Sequence, residues 1–483
     1  MQNKMGNIDN SQNNQNKKSL IQIIIVVSIG TFMGALDSSI VNISLPSISN
    51  YFKINLITVE WIVLSYLIVI SSLLLMFGRL GDLYGHKKVY VIGFAIFTIG
   101  SLLCALAPNI ILLIIFRAFQ AIGAGMLMSM GPAIITINTH PKNRGKSLGV
   151  IAIAVSVALS LGPVLGGFLT TYFGWRSIFF INIPIGIVAF IWALKALPQK
   201  DEKTAKTFDY AGAILLFVSI SLIIFPISVI DQFGFKNPFI LGCFIIGIIV
   251  MIIFIFIENK IKHPILDFSL FKNRLFSMGN LSLLLNYMAQ FIITLILPFY
   301  LIQLRNMQES SAGLILIANP VVVMIFTPLS GYLSDRFDTR YISSAGMLLI
   351  SVGLFLLSTL NQNSSIITII LYAALVGFGI AMFQTPNNSA IMGSVPPDRR
   401  GTASSMLATM RNMGMVFGVA LSGTLFTYRQ NYLNKILEAK GINGIELSSQ
   451  AFIGAMRFTF IIGGILAVIA VITSLIRGSL YTN

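Results

Sequence analysis

GRLGDLYGHKK, residues 78–88, stands between two apolar runs, 57–78 and 89–107. Each run has the roughly 20 residues that a helix needs to cross a bilayer core. A charged, glycine-rich turn between two such runs is a water-facing connection between membrane spans. Outward from this turn the pattern recurs. Apolar runs occupy 20–45, 110–138, 147–172, 176–194, 210–230, 238–257, 276–302, 312–334, 341–360, 366–390, 402–427 and 453–476, which makes fourteen expected spans. Continuous runs exclude a transmembrane β-barrel, whose segments are short and alternating. The expected fold class is an all-α polytopic membrane protein.

Composition agrees. Of 483 residues, 56% are hydrophobic and 10% charged, and the mean hydropathy is +0.86. Soluble domains carry about 25% charged residues, so the several soluble domains a chain of this length would form are excluded. A net charge of +16 can mark nucleic-acid binding, but the bases are not distributed for it. With a cytoplasmic N-terminus, 22 of the 32 Lys and Arg residues fall in the inner tails and loops and 7 in the outer loops, leaving Arg117, Arg411 and Arg457. The positive-inside rule therefore puts both ends in the cytoplasm. Cys104 and Cys243 lie inside apolar runs and, with three isolated histidines, offer neither a disulfide framework nor a metal site. The polar residues 1–19 have no apolar core or small-residue cleavage site and read as an uncleaved tail.

The loops also repeat. GYLSDRFDTR, residues 331–340, sets Gly331, Asp335 and Arg336 at an inner turn in the second half, as GRLGDLYGHKK does in the first. The expected organisation is a cytoplasmic tail at 1–19, a six-helix bundle at 20–194, and a linker with two extra spans at 195–275. A second six-helix bundle at 276–476 and a tail at 477–483 complete it. Parallel six-span repeats build one large class of secondary transporter, with the substrate site at their interface.

Within so apolar a chain, a few polar groups stand out. Asp37, in GALDSSIVNISLP (34–46), lies roughly 25 Å from the inner end of a span of about 40 Å, hence in its outer half. A carboxyl group there is costly and marks function by default; burial favours its neutral form, so it can carry a proton. The alternative is a structural carboxylate capping a backbone break near Pro46. Arg117, in RAFQAIGAGM (117–126), sits on the order of 10 Å from the outer end of span 4, at a depth similar to that of Asp37. An unpaired Arg there is disfavoured. A pair with Asp37 would tie proton uptake to conformation, or else be a static helix–helix contact. Glu60, beside Trp61 at the outer start of span 2, completes the proton-coupling candidates. It attracts cations there, or simply faces headgroup water beside an interfacial Trp. Arg411, in RNMGMVFG (411–418), either snorkels to the inner surface or binds a backbone carbonyl or substrate.

In the turn itself, Gly78, Gly81 and Gly85 permit tight turning and close helix approach. Asp82 can accept from Arg79, Lys87 and Lys88, a compact latch suited to a gate that makes and breaks. In span 5, SLGPVLGGFL (160–169) gathers Gly162, Pro163, Gly166 and Gly167. Glycines at this spacing allow close helix packing and Pro bends a helix, as a hinge or a seal against leakage requires.

GRLGDLYGHKK, RAFQAIGAGM and SLGPVLGGFL, in that order and on those spans, resemble three signature motifs of the major facilitator superfamily. ALDSSIVNISLP, VEWIVLSYL (59–67) and the fourteen spans resemble its drug:proton antiporter branch, and PLSGYLSDRF (328–337) and RNMGMVFGVAL (411–421) agree in the second half. The resemblance covers the chain beyond its tail. It implies a rocker-switch exporter of the bacterial cytoplasmic membrane that exchanges lipophilic, often cationic compounds for protons. It assigns proton coupling to Asp37, a proton-relay role to Arg117, and an exporter signature to Gly162–Gly167. His86 departs from the Arg usual in the family loop, which would alter gating or make it pH-sensitive near neutrality. Some relatives that export divalent cations carry a further acid in the second half, and none falls within spans 9–14, so monovalent cations or neutral amphiphiles are expected.

The expected substrate cavity draws on Trp61, Tyr66, Gln120, Asn286, Tyr287, Gln290, Gln384, Asn387 and Arg411. Aromatic faces bind large cations and amides hydrogen-bond neutral compounds, although ordinary helix packing explains each as well. No cofactor is expected beyond the proton motive force. Expected partners are lipophilic small molecules, protons and membrane lipids, with no nucleic acid and a functional monomer. An ATP-driven pump is disfavoured, because the GKS at 145–147 lacks the upstream glycine of a phosphate-binding loop. An enzyme is disfavoured for want of a catalytic cluster. A flippase for lipids or cell-envelope precursors, or an exporter of one metabolite, would use the same architecture.

Overall fold

The computed structural model describes residues 2–140, 143–198, 210–233, 237–261, 268–396 and 399–478, without the side chains of 2–19, Leu75, Arg79, Tyr210, Ala213, Ser228, 230–233, Phe268, Gly401 and Ser405. Sixteen α-helices account for nearly all of it. The first bundle contains α1 (Gln2–Phe52), α2 (Leu56–Tyr84), α3 (His86–Ala105), α4 (Ile110–Asn138), α5 (Arg144–Phe173), α6 (Ser177–Phe180) and α7 (Asn182–Ala196). An intervening pair, α8 (Tyr210–Phe233) and α9 (Pro238–Glu258), follows. The second bundle contains α10 (Arg274–Phe299), α11 (Glu309–Leu316), α12 (Ala318–Ser334), α13 (Thr339–Leu357), α14 (Ile366–Gly393), α15 (Arg400–Ala439) and α16 (Gly444–Ile476).

Helices are the dictated solution, because a lipid-facing backbone must satisfy its own hydrogen bonds. Their starts are set locally. The side chains of Asn55, Asn109, Asn273 and Ser365 accept from backbone N–H groups at the starts of α2, α4, α10 and α14, supplying partners that the first helical turn lacks. Gly85, at φ +93°, alone joins α2 to α3, a left-handed conformation that glycine adopts without steric cost.

Among the described residues, twelve helices are long and apolar enough to cross a membrane, with α6 and α7 acting as one and α11 and α12 as another. Two of the fourteen expected spans fall outside that set. In α8 the described apolar stretch is Ile214–Ile227. The 40-residue α15 carries Arg411, Asn412 and several Ser, Thr and Gly residues through its middle. Span 1 is longer than expected: α1 runs unbroken through Pro46 to Phe52. Asp37 is therefore near the middle of the Leu20–Phe52 span rather than in its outer half, and caps no break at Pro46.

Each bundle packs in the same way. In the first, α3 lies against α4 and α7, and α1 against α5; in the second, α13 lies against α14 and α16, and α10 against α15. The likeness extends to glycines. Gly93 and Gly123 bring α3 and α4 into backbone contact, and Gly346 and Gly379 do so for α13 and α14. The bundles meet along two seams, α5 with α11 and α2 with α15, and α8 covers the second by packing on both of its helices. The fifth span of each bundle thus meets the second span of the other, as a pseudo-twofold relation requires. The most apolar helix, α9, exposes Leu241, Ile245, Ile249, Ile252 and Phe256, and such a surface belongs in lipid.

Candidate functional site

Asp37 is fully buried in the first bundle, and its carboxylate is saturated with donors. Oδ2 accepts from Arg117 Nη1 at 2.5 Å, and Oδ1 accepts from Gln120 Nε2 and Asn182 Nδ2, each at 2.9 Å. Arg117 Nη1 also donates to Gln120 Oε1 at 2.7 Å, and Gln120 Nε2 to Ser101 Oγ at 2.7 Å. The guanidinium stacks on the Tyr66 ring at 4.2 Å, and the Tyr66 hydroxyl donates to the Gly34 carbonyl at 3.3 Å. Four helices, α1, α3, α4 and α7, thus converge on one carboxylate. The small residue Gly100 allows it, because a Cβ there would strike the Gln120 backbone.

Asp37 and Arg117 pair directly. Two charges taken out of water are costly unless well paired, and removing one partner costs about 3–5 kcal/mol. A hydrogen-bonded acid of this kind can exchange its ion pair for a proton, after which Arg117 must find another acceptor. Gln120 and Tyr66 therefore belong to this network, not to a substrate cavity, since both are buried against Asp37 and Arg117. Ser101 and Asn182 were not among the expected residues. Their only signal is a polar side chain inside an apolar run, and serine in that setting is usually satisfied by its own helix.

The turn 78–88 holds one of its expected pairings in a different form. His86 Nε2 meets Asp82 Oδ1 at 3.3 Å, whereas Lys88 is exposed and the Arg79 side chain lies outside the described residues. Lys87 and His86 line a small hollow with Asn138 and Leu197. Gly78 and Gly81 bring α2 against Ser129 and Met130 of α4. In the second-half turn, Asp335 and Arg336 are exposed and Arg336 stacks on Tyr332 at 4.3 Å. Asp338 is the residue that caps, accepting from the Arg340 N–H at 2.8 Å.

The glycine-proline stretch of α5 packs closely against two helices. Gly162 and Gly166 let α1 lie against α5, and Gly167 receives the backbone carbonyl of Glu309. Reciprocally, Gly313 of α11 receives the Pro163 carbonyl. Glu309 stands at the first turn of α11, just before the expected start of span 10. The helix begins at Glu309 rather than at 312, and this acid accepts from Ser47 of α1 and from Thr171 Oγ1 of α5 at 3.2 Å. Glu60 also departs from expectation. It is fully buried at the α2–α15 seam instead of facing headgroup water, and Trp61 packs on Phe225 of α8.

In the second bundle, Tyr287, Gln384 and Arg411 come together. Gln384 Nε2 donates to Tyr287 Oη at 3.0 Å, and Arg411 hydrogen-bonds the same hydroxyl. Both polar atoms of buried Asn286, and Oε1 of Gln290, have no protein partner. Asn387 is no cavity residue. It is buried, donates to the Gly279 carbonyl at 3.1 Å and accepts from Arg477 Nη1 at 2.6 Å. Arg477 also reaches Thr339 and Ser343 of α13, at 3.2 and 3.3 Å. This tie locks the end of α16 to α13 and α14. Hydrogen bonds to a charged group are worth about 1.5–3 kcal/mol. Arg477→Met is therefore expected to lower the Tm of the detergent-solubilised protein by roughly 5 °C, read by thermal unfolding; an unchanged Tm would contradict the assignment.

Residues 27–277 and 280–480, the two bundles with the inserted pair, match the Major Facilitator Superfamily. The riboflavin transporter RibZ of Clostridioides difficile is 37% identical over 419 residues, covering 86% of this chain and 90% of its own. Multidrug resistance protein 3 of Bacillus subtilis is 28% identical, covering 89% of this chain and 84% of its own. A solved structure of a bacterial homologue of the human lysosomal transporter Spinster superimposes with a TM-score of 0.69 at 15% identity, over 95% of this chain and 97% of that one. That likeness shows the fold. Paired six-span bundles, the closely packed glycine-proline stretch and the matched sequence lead to one conclusion: the chain belongs to the major facilitator superfamily.

Proposed function

We propose that this transporter is a proton-coupled antiporter that exports lipophilic cationic or neutral amphiphilic compounds by alternating access. It does so in the bacterial cytoplasmic membrane, with fourteen spans and both termini in the cytoplasm, as a monomer driven by the proton motive force. The observation that carries the reading is the saturated Asp37 carboxylate, a buried acid whose partners all come from one bundle. Protonation of Asp37 releases Arg117, so the charge state of the site is tied to the packing of α1 against α4. The α5–α11 contact closes the outer face, and the turn 78–88 lies at the inner one. Relatives named as multidrug resistance proteins support the substrate class.

A second reading has its own support. A relative at 37% identity is a riboflavin transporter, and the unpartnered amide of Asn286 and carbonyl oxygen of Gln290 suit a neutral heteroaromatic substrate rich in hydrogen-bonding groups. One experiment separates the two. Purified protein is placed in inverted vesicles with an imposed pH gradient, and uptake of ethidium and of riboflavin is followed. Ethidium accumulation that vanishes with the gradient supports the multidrug reading. Gradient-driven riboflavin uptake without ethidium uptake supports the second, and uptake indifferent to the gradient overturns proton coupling.

A further inference from the structure

Glu60 is the one fully buried acid among the described residues of the first bundle that the Asp37 network does not use. Its side chain is fully buried, and neither carboxyl oxygen has a hydrogen-bond partner. It points across the α2–α15 seam at Gly423, where any Cβ would fall inside the carboxyl group. Beside it, Thr424 Oγ1 donates to the Ile227 carbonyl at 2.7 Å, tying α15 to α8. The seam is therefore shut directly over an unpartnered acid.

Charged neighbours do not relieve it. On the helices packed against α2, the charged residues within the apolar stretches are Asp37 on α1, Arg117 on α4, Asp231 on α8 and Arg411 and Arg429 on α15, with none between Val89 and Ala105 of α3. Arg117 is committed to Asp37 and Gln120, and Arg429 stacks on Tyr432 and Phe458. The Asp231 side chain lies outside the described residues. An ionised carboxylate buried without a partner is far more costly than the neutral acid.

A route to solvent lies just above. A cleft of about 260 Å³ opens on the face opposite the turn 78–88, lined by Asn50, Asn55 and Leu56 of the first bundle and Gln303, Thr427 and Gln430 of the second. Leu56 is one helical turn from Glu60, and Thr427 one turn from Gly423, so the floor of the cleft is only about 6 Å along the helix axes from the acid. Its amides can hold water, which carries protons.

We propose that Glu60 is a proton-binding gate, taking a proton from the outer face through this amide-lined cleft, and that the α2–α15 seam closes only over the neutral acid. The site is distinct from Asp37 and rests on the proton-driven reading above. Closure and proton uptake are then linked: low pH favours the closed seam, and rising pH opens it. The chemical partner is the proton itself; deprotonation leaves a carboxylate that must be hydrated, and hydration parts the helices.

Spin labels at Asn50→Cys and Gln430→Cys, one on each lip of the cleft, test this in the full-length protein in lipid, with Cys243→Ser and Cys104 left buried. Distances measured by pulsed electron resonance are expected to lengthen between pH 5.5 and pH 8.5. With Glu60→Gln they stay short at both values. Glu60→Gln lengthening like the parent, or a parent indifferent to pH, would overturn the proposal. Gradient-driven ethidium uptake is measured alongside. If uptake is proton-driven but the lips ignore Glu60, only this inference fails; if uptake ignores the gradient, the transport reading fails on its own.

Discussion

Asp37→Asn is expected to abolish gradient-driven transport, lowering it by at least about a hundredfold. The amide fills the same space as the carboxyl group, so the helices α1, α3, α4 and α7 still converge, but no proton can be gained or lost. Arg117 is then a buried cation without a counter-charge, a deficit of about 3–5 kcal/mol. At 1.4 kcal/mol per factor of ten, any step that must hold Arg117 in that state slows accordingly. Two readouts separate charge from chemistry. Thermal stability in detergent should fall in Asp37→Asn and recover in Asp37→Asn/Arg117→Met, where both charges are gone. Transport should stay lost in both. Recovery of transport in the double variant would show that Asp37 serves only to neutralise Arg117.

The second large effect is expected at the α5–α11 seal. Gly167→Ala and Gly313→Ala each place a methyl group against a backbone carbonyl, of Glu309 and of Pro163 respectively. A side chain can rotate away from such a methyl group; a carbonyl within a helix cannot without moving the helix. Overpacking costs about 1–3 kcal/mol, and here it falls wholly on the closed state, which should lose population by roughly tenfold to a hundredfold. Gly149→Ala is the matched control, on the same helix with nothing within 4 Å of the added carbon. Transport should collapse in the two seal variants, with normal membrane insertion, and stay at the parent rate in the control. Parent-like transport in Gly167→Ala and Gly313→Ala would show that α5 and α11 need not close so tightly.

Much of this was legible in the residues. Asp37 and Arg117 announced themselves because a charge inside an apolar run has no routine explanation, and the scarcity of other membrane acids pointed Arg117 toward Asp37, the contact that the structure shows. The glycine-proline stretch announced close packing in the same way. What stayed hidden was pairing and facing. Gln120, Tyr66 and Asn387 were expected around a substrate and are instead tied into buried networks, because a helix position says nothing about which neighbour it meets. Ser101 and Asn182 were overlooked, since an uncharged polar residue in an apolar run is commonplace. Glu60 was judged by its nearness to a helix end and to Trp61, but burial there is decided by α15 and α8, more than 150 residues away along the chain. Glu309 was missed by the few residues by which α11 starts earlier than the apolar run.

The most direct test of proton coupling needs no imposed gradient. Inverted vesicles holding the purified protein and a trapped pH dye receive ethidium from outside, with the membrane potential clamped. Ethidium is a quaternary cation and carries no proton of its own. Antiport predicts that its downhill entry drives protons out, so that the lumen turns alkaline in the parent and not in Asp37→Asn. Ethidium entering through the parent protein with no change in luminal pH would contradict the account.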